Sequence, residues 1–296
     1  MVNNHAPNRH DGSDTLVNGH AGRLRVFPGA GRAPATTTIA EQPPAVRDYE
    51  ETVASTADGA APPAAAPGPL LAVCGLCGGA GTTTLAYLIA LAAARADPRQ
   101  AVLVADTGGP SGGVSAYAGV ATALTLAEAA QQVAHGIAAE QLVATTGDGL
   151  HVLAAEPQLI RGCARDGVEL LLAQARERYA LTVIDCGTLA AEADQVALAG
   201  ASHVAWLLPA TDTGIRRGRR LFHAIQPAPT AREVVVARHD QRAPRAAMRA
   251  LRRLAESRRA RLVLLPSLPG IDGGKFEKAL EAAQVSLQAI AGVLAR

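Results

Sequence analysis

The chain has 296 residues, is 49% apolar, carries a formal net charge of +2 and holds only eight aromatic residues. That is enough apolar material for a sizeable core in one or two domains, with small-residue helix packing expected from the abundant alanine. No apolar stretch reaches the roughly 18–20 residues of a membrane span, and the N-terminus lacks the basic segment and apolar run of a signal peptide, so a cytoplasmic location is expected.

Nine of the 18 prolines fall in residues 1–69, and residues 61–68 read Ala-Pro-Pro-Ala-Ala-Ala-Pro-Gly. Such a segment holds too few large apolar residues to offset the entropy of ordering, so residues 1–68 are expected to be a disordered tail and linker. His5, His10 and His20 are too irregularly spaced within it to suggest a metal site.

From Pro69 onward apolar strand patterns near residues 70, 101, 151, 181, 203, 233 and 261 alternate with helical patterns. That alternation predicts a mostly parallel sheet covered by helices on both faces, with any ligand beyond the carboxyl ends of the strands. The first strand, residues 70–74, runs directly into Gly-Leu-Cys-Gly-Gly-Ala-Gly-Thr-Thr-Thr. Gly78, Gly79 and Gly81 permit a tight turn in which backbone N–H groups converge. Thr82, Thr83 and Thr84 then open a helix whose positive dipole end faces the same space, which makes an anion cradle. A phosphate loop normally adds a lysine and then a Ser/Thr that holds magnesium. Here Thr82 stands at the lysine position and Thr83 at the hydroxyl position, and the chain's only lysines are Lys275 and Lys278.

Two strand-terminal acids converge on the same end. Residues 101–106 end in Asp106, and residues 181–185 end in Asp185, followed by Cys186 and Gly187. With the loop, these landmarks resemble the MinD/ParA family of nucleotide-binding proteins, whose loop reads Lys-Gly-Gly-x-Gly-Lys-Ser/Thr. Aligned on the glycines, Cys77 and Thr82 replace both family lysines. The wording Gly-Gly-Ala-Gly-Thr-Thr-Thr-Leu-Ala looks most like the CpaE/TadZ branch, associated with Flp pilus assembly, and like related actinobacterial septum-site proteins. The resemblance covers residues 69–296 and implies an α/β, three-layer P-loop NTPase-like domain. It implies ATP or ADP as ligand, held by Cys77, Gly78, Gly79, Ala80, Gly81, Thr82, Thr83 and Thr84. Arg238, at the end of the strand near 233, is counted with them. Magnesium would fall to Thr83, Asp106 and Asp185.

Hydrolysis by such a site needs phosphate neutralisation, a magnesium site and an oriented water. Only the magnesium site looks intact, because Gly108 stands where the family places a second acid for the water. A lost charge-assisted hydrogen bond costs roughly 1.5–3 kcal/mol, about ten- to 150-fold in affinity, and a lost water-positioning acid about 100-fold or more in rate. Nucleotide binding is therefore expected to outlast turnover. The family lysine at position 77 reaches across a dimer, so its loss weakens the expectation of a nucleotide-sandwiched homodimer. Arg161 and Arg165 are candidate substitutes for the missing charge.

Three further patterns have a bland and a functional reading. Residues 216–261, which begin with Arg216 and end with Arg261, contain 14 arginines against three acids, a net +11 that leaves −9 for the remainder. This region is either a solvated arginine-rich surface or a face for non-specific DNA or an acidic protein partner. Cys74, Cys77 and Cys186 suit a core and loop position or, less simply, a thiolate metal or redox site; four cysteines, Cys163 included, make no secreted-type disulfide framework. In residues 276–294 Leu280, Ala283, Leu287, Ile290 and Leu294 form a stripe. Without clustered basic residues, or aromatic anchors after Phe276, this reads as a core-packing helix rather than a membrane-targeting one, so membrane association is indirect at most. The expected role is a weakly hydrolysing or non-hydrolysing localisation or assembly factor, recruited by protein partners to a pole, septum or secretion apparatus. The alternative is an active DNA-partitioning ATPase.

Overall fold

The computed structural model describes residues 66–295 except 108–112, 121–123, 125, 155–163, 226–228, 240–243 and 272–273. The tail reading, the three tail histidines, Gly108, Arg161 and Cys163 lie outside the described residues. Eight strands form one sheet: β1 (Leu70–Gly75), β2 (Val102–Asp106), β3 (Ala144–Thr145), β4 (His151–Leu153), β5 (Leu181–Asp185), β6 (His203–Pro209), β7 (Arg232–His239) and β8 (Arg261–Pro266). Their order is β3-β4-β2-β5-β1-β6-β7-β8, with every pairing parallel except β3 with β4. The seven expected strands are all present. The two-residue antiparallel β3 was not anticipated, because so short a segment carries no periodicity to read.

The central strands β1, β2 and β5 are buried along their whole length because both faces are covered. In β1, Leu70, Ala72 and Cys74 enter one core and Leu71 and Val73 the other, the two-residue alternation of a pleated strand. The first core is closed by α3 (Leu126–Ala134), α4 (Arg165–Arg178), α5 (Glu192–Gly200), α6 (Asp212–Ala224) and α7 (Arg245–Ser257). The second is closed by α1 (Thr82–Ala96), α2 (Val114–Ala118) and α8 (Phe276–Leu294). This is an α/β, three-layer P-loop NTPase-like arrangement.

Helix faces follow their periodicity. In α7 Leu251, Leu254 and Ala255 are buried while Arg245, Arg249, Arg252 and Arg253 are exposed. In α6 Ile215 and Phe222 are buried beside exposed Arg216, Arg217, Arg219 and Arg220. The expected stripe of α8 packs on the second core, with Ala283 and Ile290 buried and Leu280, Leu287 and Leu294 partly buried against it. Ala279, Ala283, Ser286 and Ile290 face the core, and the Ser286 hydroxyl donates to the Leu264 carbonyl at 2.6 Å. Leu280, Leu287 and Leu294 also line a hollow shared with Ile89 and Ala93 of α1. Small side chains at 279, 283 and 286 allow α8 to lie close to the sheet, which turns the bulkier leucines toward α1. No helix among the described residues is long and apolar enough to cross a membrane.

Candidate functional site

β1 occupies the middle of the sheet, with β5 on one side and β6 on the other. The chain leaves β1 for β2 beyond β5 and later crosses from β5 to β6 on the opposite side, so a crevice opens at the carboxyl end of β1. Residues 76–81 fill its floor. Gly79 and Gly81 adopt left-handed backbone angles (φ 69° and 94°), which only glycine takes without strain. Gly75 is required for a different reason: a β-carbon there would lie 2.5 Å from the Thr82 hydroxyl and 3.0 Å from the Gly187 carbonyl. Above the loop the space is open, since β-carbons added at Gly78 or Gly79 would meet no atom within 4 Å.

The amino end of α1 is presented bare to this space. No side chain caps it, and the first intrahelical bond runs from Leu85 N–H to the Gly81 carbonyl at 3.0 Å, so the N–H groups of Thr82, Thr83 and Thr84 have no intrahelical acceptor. The resulting cleft, about 370 Å³, is lined by the loop from Cys77 to Thr84 and by residues of four other segments. These include Asp106 and Thr107, Gly113 and Tyr117, Asp185 and Gly187, and Asp194.

The acids are brought together as the strand ends implied. Asp106 and Asp185 are register partners across β2 and β5, only 5% and 3% exposed. The Thr83 hydroxyl donates to Asp185 Oδ2 at 2.5 Å, and Gly187 N–H donates to Oδ1 at 3.1 Å. Gly113 N–H donates to Asp106 Oδ2 at 3.2 Å. Burial first, and then the Asp106 charge, push the Asp185 carboxyl up to about 7 against the bonds from Thr83 and Gly187. A pair of buried carboxylates beside a hydroxyl is a donor set suited to a hard divalent cation completed by phosphate and water oxygens. Thr83, Asp106 and Asp185 therefore fit magnesium. Among the described residues no group of three His, Cys, Asp or Glu side chains could hold a metal ion by itself. The three cysteines accordingly form no such cluster: Cys74 and Cys186 are buried, and Cys77 lies at the cleft. Hydrogen bonding to Cys74, then burial, hold the Cys186 thiol well above its ordinary range and therefore protonated.

Arg238 reaches the loop from β7, yet it meets the loop's carbonyls. Its Nη1 donates to Gly79 O at 3.0 Å and to Ala80 O at 3.2 Å. Arg165 does not join the cleft lining and pairs with Glu169 on its own helix at 2.9 Å. Truncating Arg238 to Ala is expected to loosen the loop, with about a five- to tenfold loss of nucleotide affinity, one charged hydrogen bond at a half-exposed position. Faster amide exchange at residues 79–83 in the variant, partly restored by lysine, would distinguish loop support from direct ligand contact.

The solved structures with this arrangement share little sequence with it. A ParA family ATPase from Chlorobium tepidum TLS superposes with a TM-score of 0.56 at 14% identity, over 74% of this chain and 92% of that one. A MinC:MinD cell division protein complex of Aquifex aeolicus gives 0.59 at 14% identity, over 75% and 95%. A cobyrinic acid a,c-diamide synthase from Mycobacterium smegmatis with bound ADP and magnesium gives 0.56 at 19%, over 76% and 94%. No protein-family model and no curated protein matches the sequence. The chain has the fold of the ParA/MinD-type P-loop ATPases.

Within this ParA/MinD-type fold, several cleft residues carry no distinctive sequence signal. Asp194 is 3% exposed; its Oδ2 accepts the Ala191 N–H at 2.8 Å and its Oδ1 accepts the Thr107 hydroxyl. Burial is the main reason its carboxyl is raised. An acid in the first turn of α5 is the only cue, and it reads equally well as an ordinary helix-start acid. Tyr117 hydrogen-bonds Thr84 through their hydroxyls at 3.0 Å and packs against Tyr87 and Phe276 with ring centroids 5.8 and 5.7 Å away. This cluster ties the cleft wall to α1 and α8.

Proposed function

We propose that this chain is a degenerate MinD/ParA-like nucleotide-binding protein that holds ATP or ADP with magnesium and turns it over slowly or not at all. It acts as a localisation or assembly factor of the CpaE/TadZ kind. The observation that carries this reading is a complete glycine cradle and acid pair from which the loop cations are missing. Among the described residues, no lysine or arginine lines the cleft, Cys77 and Thr82 occupy the lysine positions, and the nearby Arg238 is turned to loop carbonyls. Cys77, Gly78, Gly79, Ala80, Gly81, Thr82, Thr83 and Thr84 bind the phosphates through backbone N–H groups and the helix end. Arg238 supports the loop from behind, and Thr83, Asp106 and Asp185 take the magnesium. Residues 1–68 serve as a recruitment arm, and residues 69–296 form the nucleotide domain. The protein works in the cytoplasm, with protein partners that draw it to a pole, septum or secretion apparatus. Labelled ATP, ADP and GTP titrated with and without magnesium, beside a turnover assay, test the reading. Binding without appreciable turnover is expected, and hydrolysis at the pace of an ordinary partition ATPase would overturn it.

A second reading, an active ATPase that binds DNA without sequence preference, is favoured by one observation. The eight exposed arginines of α6 and α7 share their helices with only two exposed acids, Asp212 and Glu256. It requires DNA-stimulated phosphate release and binding that weakens steeply with salt, about 0.9 log units per tenfold salt for each phosphate contacted.

A further inference from the structure

The amino ends of β7 and β8, at the opposite edge of the strands from the glycine cradle, frame a second hollow. It is lined by Pro229, Ala231, Val293, Glu233 and four arginines, Arg232, Arg258, Arg259 and Arg261. One arginine is already neutralised. Arg258 Nε and Nη2 grip Glu233 at 2.8 and 3.1 Å, with side chains only 9% and 12% exposed, and Trp206 Nε1 donates to the same carboxylate at 2.6 Å. The Arg258 guanidinium is further held over the rings of Phe222 and Trp206 at 5.0 and 5.7 Å. The hollow thus has a rigid floor whose one acid among the described residues, Glu233, is fully engaged.

The other three guanidiniums, all on exposed residues, meet no carboxylate among the described residues. Part of their charge is answered by the fold, because α7 ends at Ser257 and Val293 belongs to the last turn of α8, so two helix carboxyl ends point here. Each end is equivalent to about half a negative charge, roughly −1 together, against three positive charges. A surplus of about +2 therefore remains on one concave surface. Guanidinium forks match phosphate oxygens in geometry as well as in charge.

We propose that this hollow is a second ligand site, selective for a phosphate dianion carried by a small soluble molecule. It is separate from the cradle and does not depend on what the cradle binds. The test uses the full chain at a fixed ionic strength of about 0.15 M, where exposed charges act over only about 8 Å. Inorganic phosphate and glycerol phosphate are titrated by calorimetry against the unaltered protein, an Arg232→Gln/Arg261→Gln variant and an Arg249→Gln/Arg252→Gln variant on the helix face. The first variant is expected to weaken binding by about tenfold or more, while the second changes it by less than about twofold. MgATP binding and far-ultraviolet circular dichroism should be unchanged in both, since all four side chains are exposed. The stronger of the two probes shows whether an inorganic anion or an organic monoester supplies the phosphate. Absence of binding by both probes, or binding that survives Arg232→Gln/Arg261→Gln, overturns the proposal.

Discussion

Replacing Thr82 with lysine is expected to tighten MgATP binding by about ten- to 150-fold, the affinity equivalent of one charge-assisted hydrogen bond to phosphate. Thr82 opens α1 and is 7% exposed, with its hydroxyl leaning over Gly75 at the end of β1. A lysine stem starting there enters the cleft along the loop, where backbone N–H groups are set to face an anion but, among the described residues, no side-chain cation lines the wall. Thr82→Ala is the control; it removes a hydroxyl without adding charge and should shift affinity by no more than a few-fold. Turnover in the lysine variant should stay low, because charge at the phosphates does not orient a water. Affinity unchanged within a factor of two, measured by fluorescence titration, would show that the missing lysine is not what limits binding. Cys77→Lys addresses a separate question: if it promotes a nucleotide-dependent dimer by light scattering, the residue at 77 governs association.

Asp185→Asn should make the ligand-free protein more stable at pH 8 and flatten its stability profile between pH 4 and 7. In the folded chain Asp185 holds its proton up to about pH 7, whereas an unfolded chain releases it near 3.8. Between those values the folded state binds the extra proton, so this contribution is fully present below pH 4 and is lost as pH rises through 7. Three pH units at about 1.4 kcal/mol each set an upper scale of about 4 kcal/mol. Asparagine removes the buried charge but leaves one of the two acceptors used by Thr83 and Gly187 unmatched, about 1 kcal/mol. A net gain of about 2–3 kcal/mol at pH 8 follows, a rise in Tm of about 5–10 °C for a domain this size. The same proton competes with a divalent cation, so MgATP binding by the unaltered protein should strengthen about tenfold from pH 6 to 8 as the ionised fraction grows. In Asp185→Asn that pH dependence should disappear along with most of the magnesium requirement. A parallel pH profile in both proteins would mean that Asp185 is not the titrating group.

Much of this site is local in sequence and therefore readable from it. Glycines at 78, 79 and 81 are a backbone requirement, and the φ values at Gly79 and Gly81 meet it. Strand ends are marked by apolar runs that stop at an acid, which located Asp106 and Asp185 because parallel strands deliver their carboxyl ends to one edge. The excess of arginine in residues 216–261 was likewise legible, and the amphipathic periods of α6 and α7 agree with the exposure of eight of them. In α8 the core-facing stripe was legible, but not that Ala279 and Ser286 would be buried more fully than Leu280 and Leu287, which close packing on the sheet and α1 decided.

What tertiary structure alone decided depends on partners distant in the chain. Arg238 is 158 residues from Ala80, and only the order β1-β6-β7 sets its guanidinium against the carbonyls of the loop. Asp194 and Tyr117 enter the cleft because α5 and α2 are docked there, and the basic hollow exists because β7, β8, α7 and α8 all bring their ends to the far edge of the sheet. Backbone conformation and strand burial are written in neighbouring residues, so composition and spacing disclose them. Which charges meet, and how far burial moves a carboxyl from its ordinary range, is settled by the packing of remote segments, where a single residue's identity carries no such information.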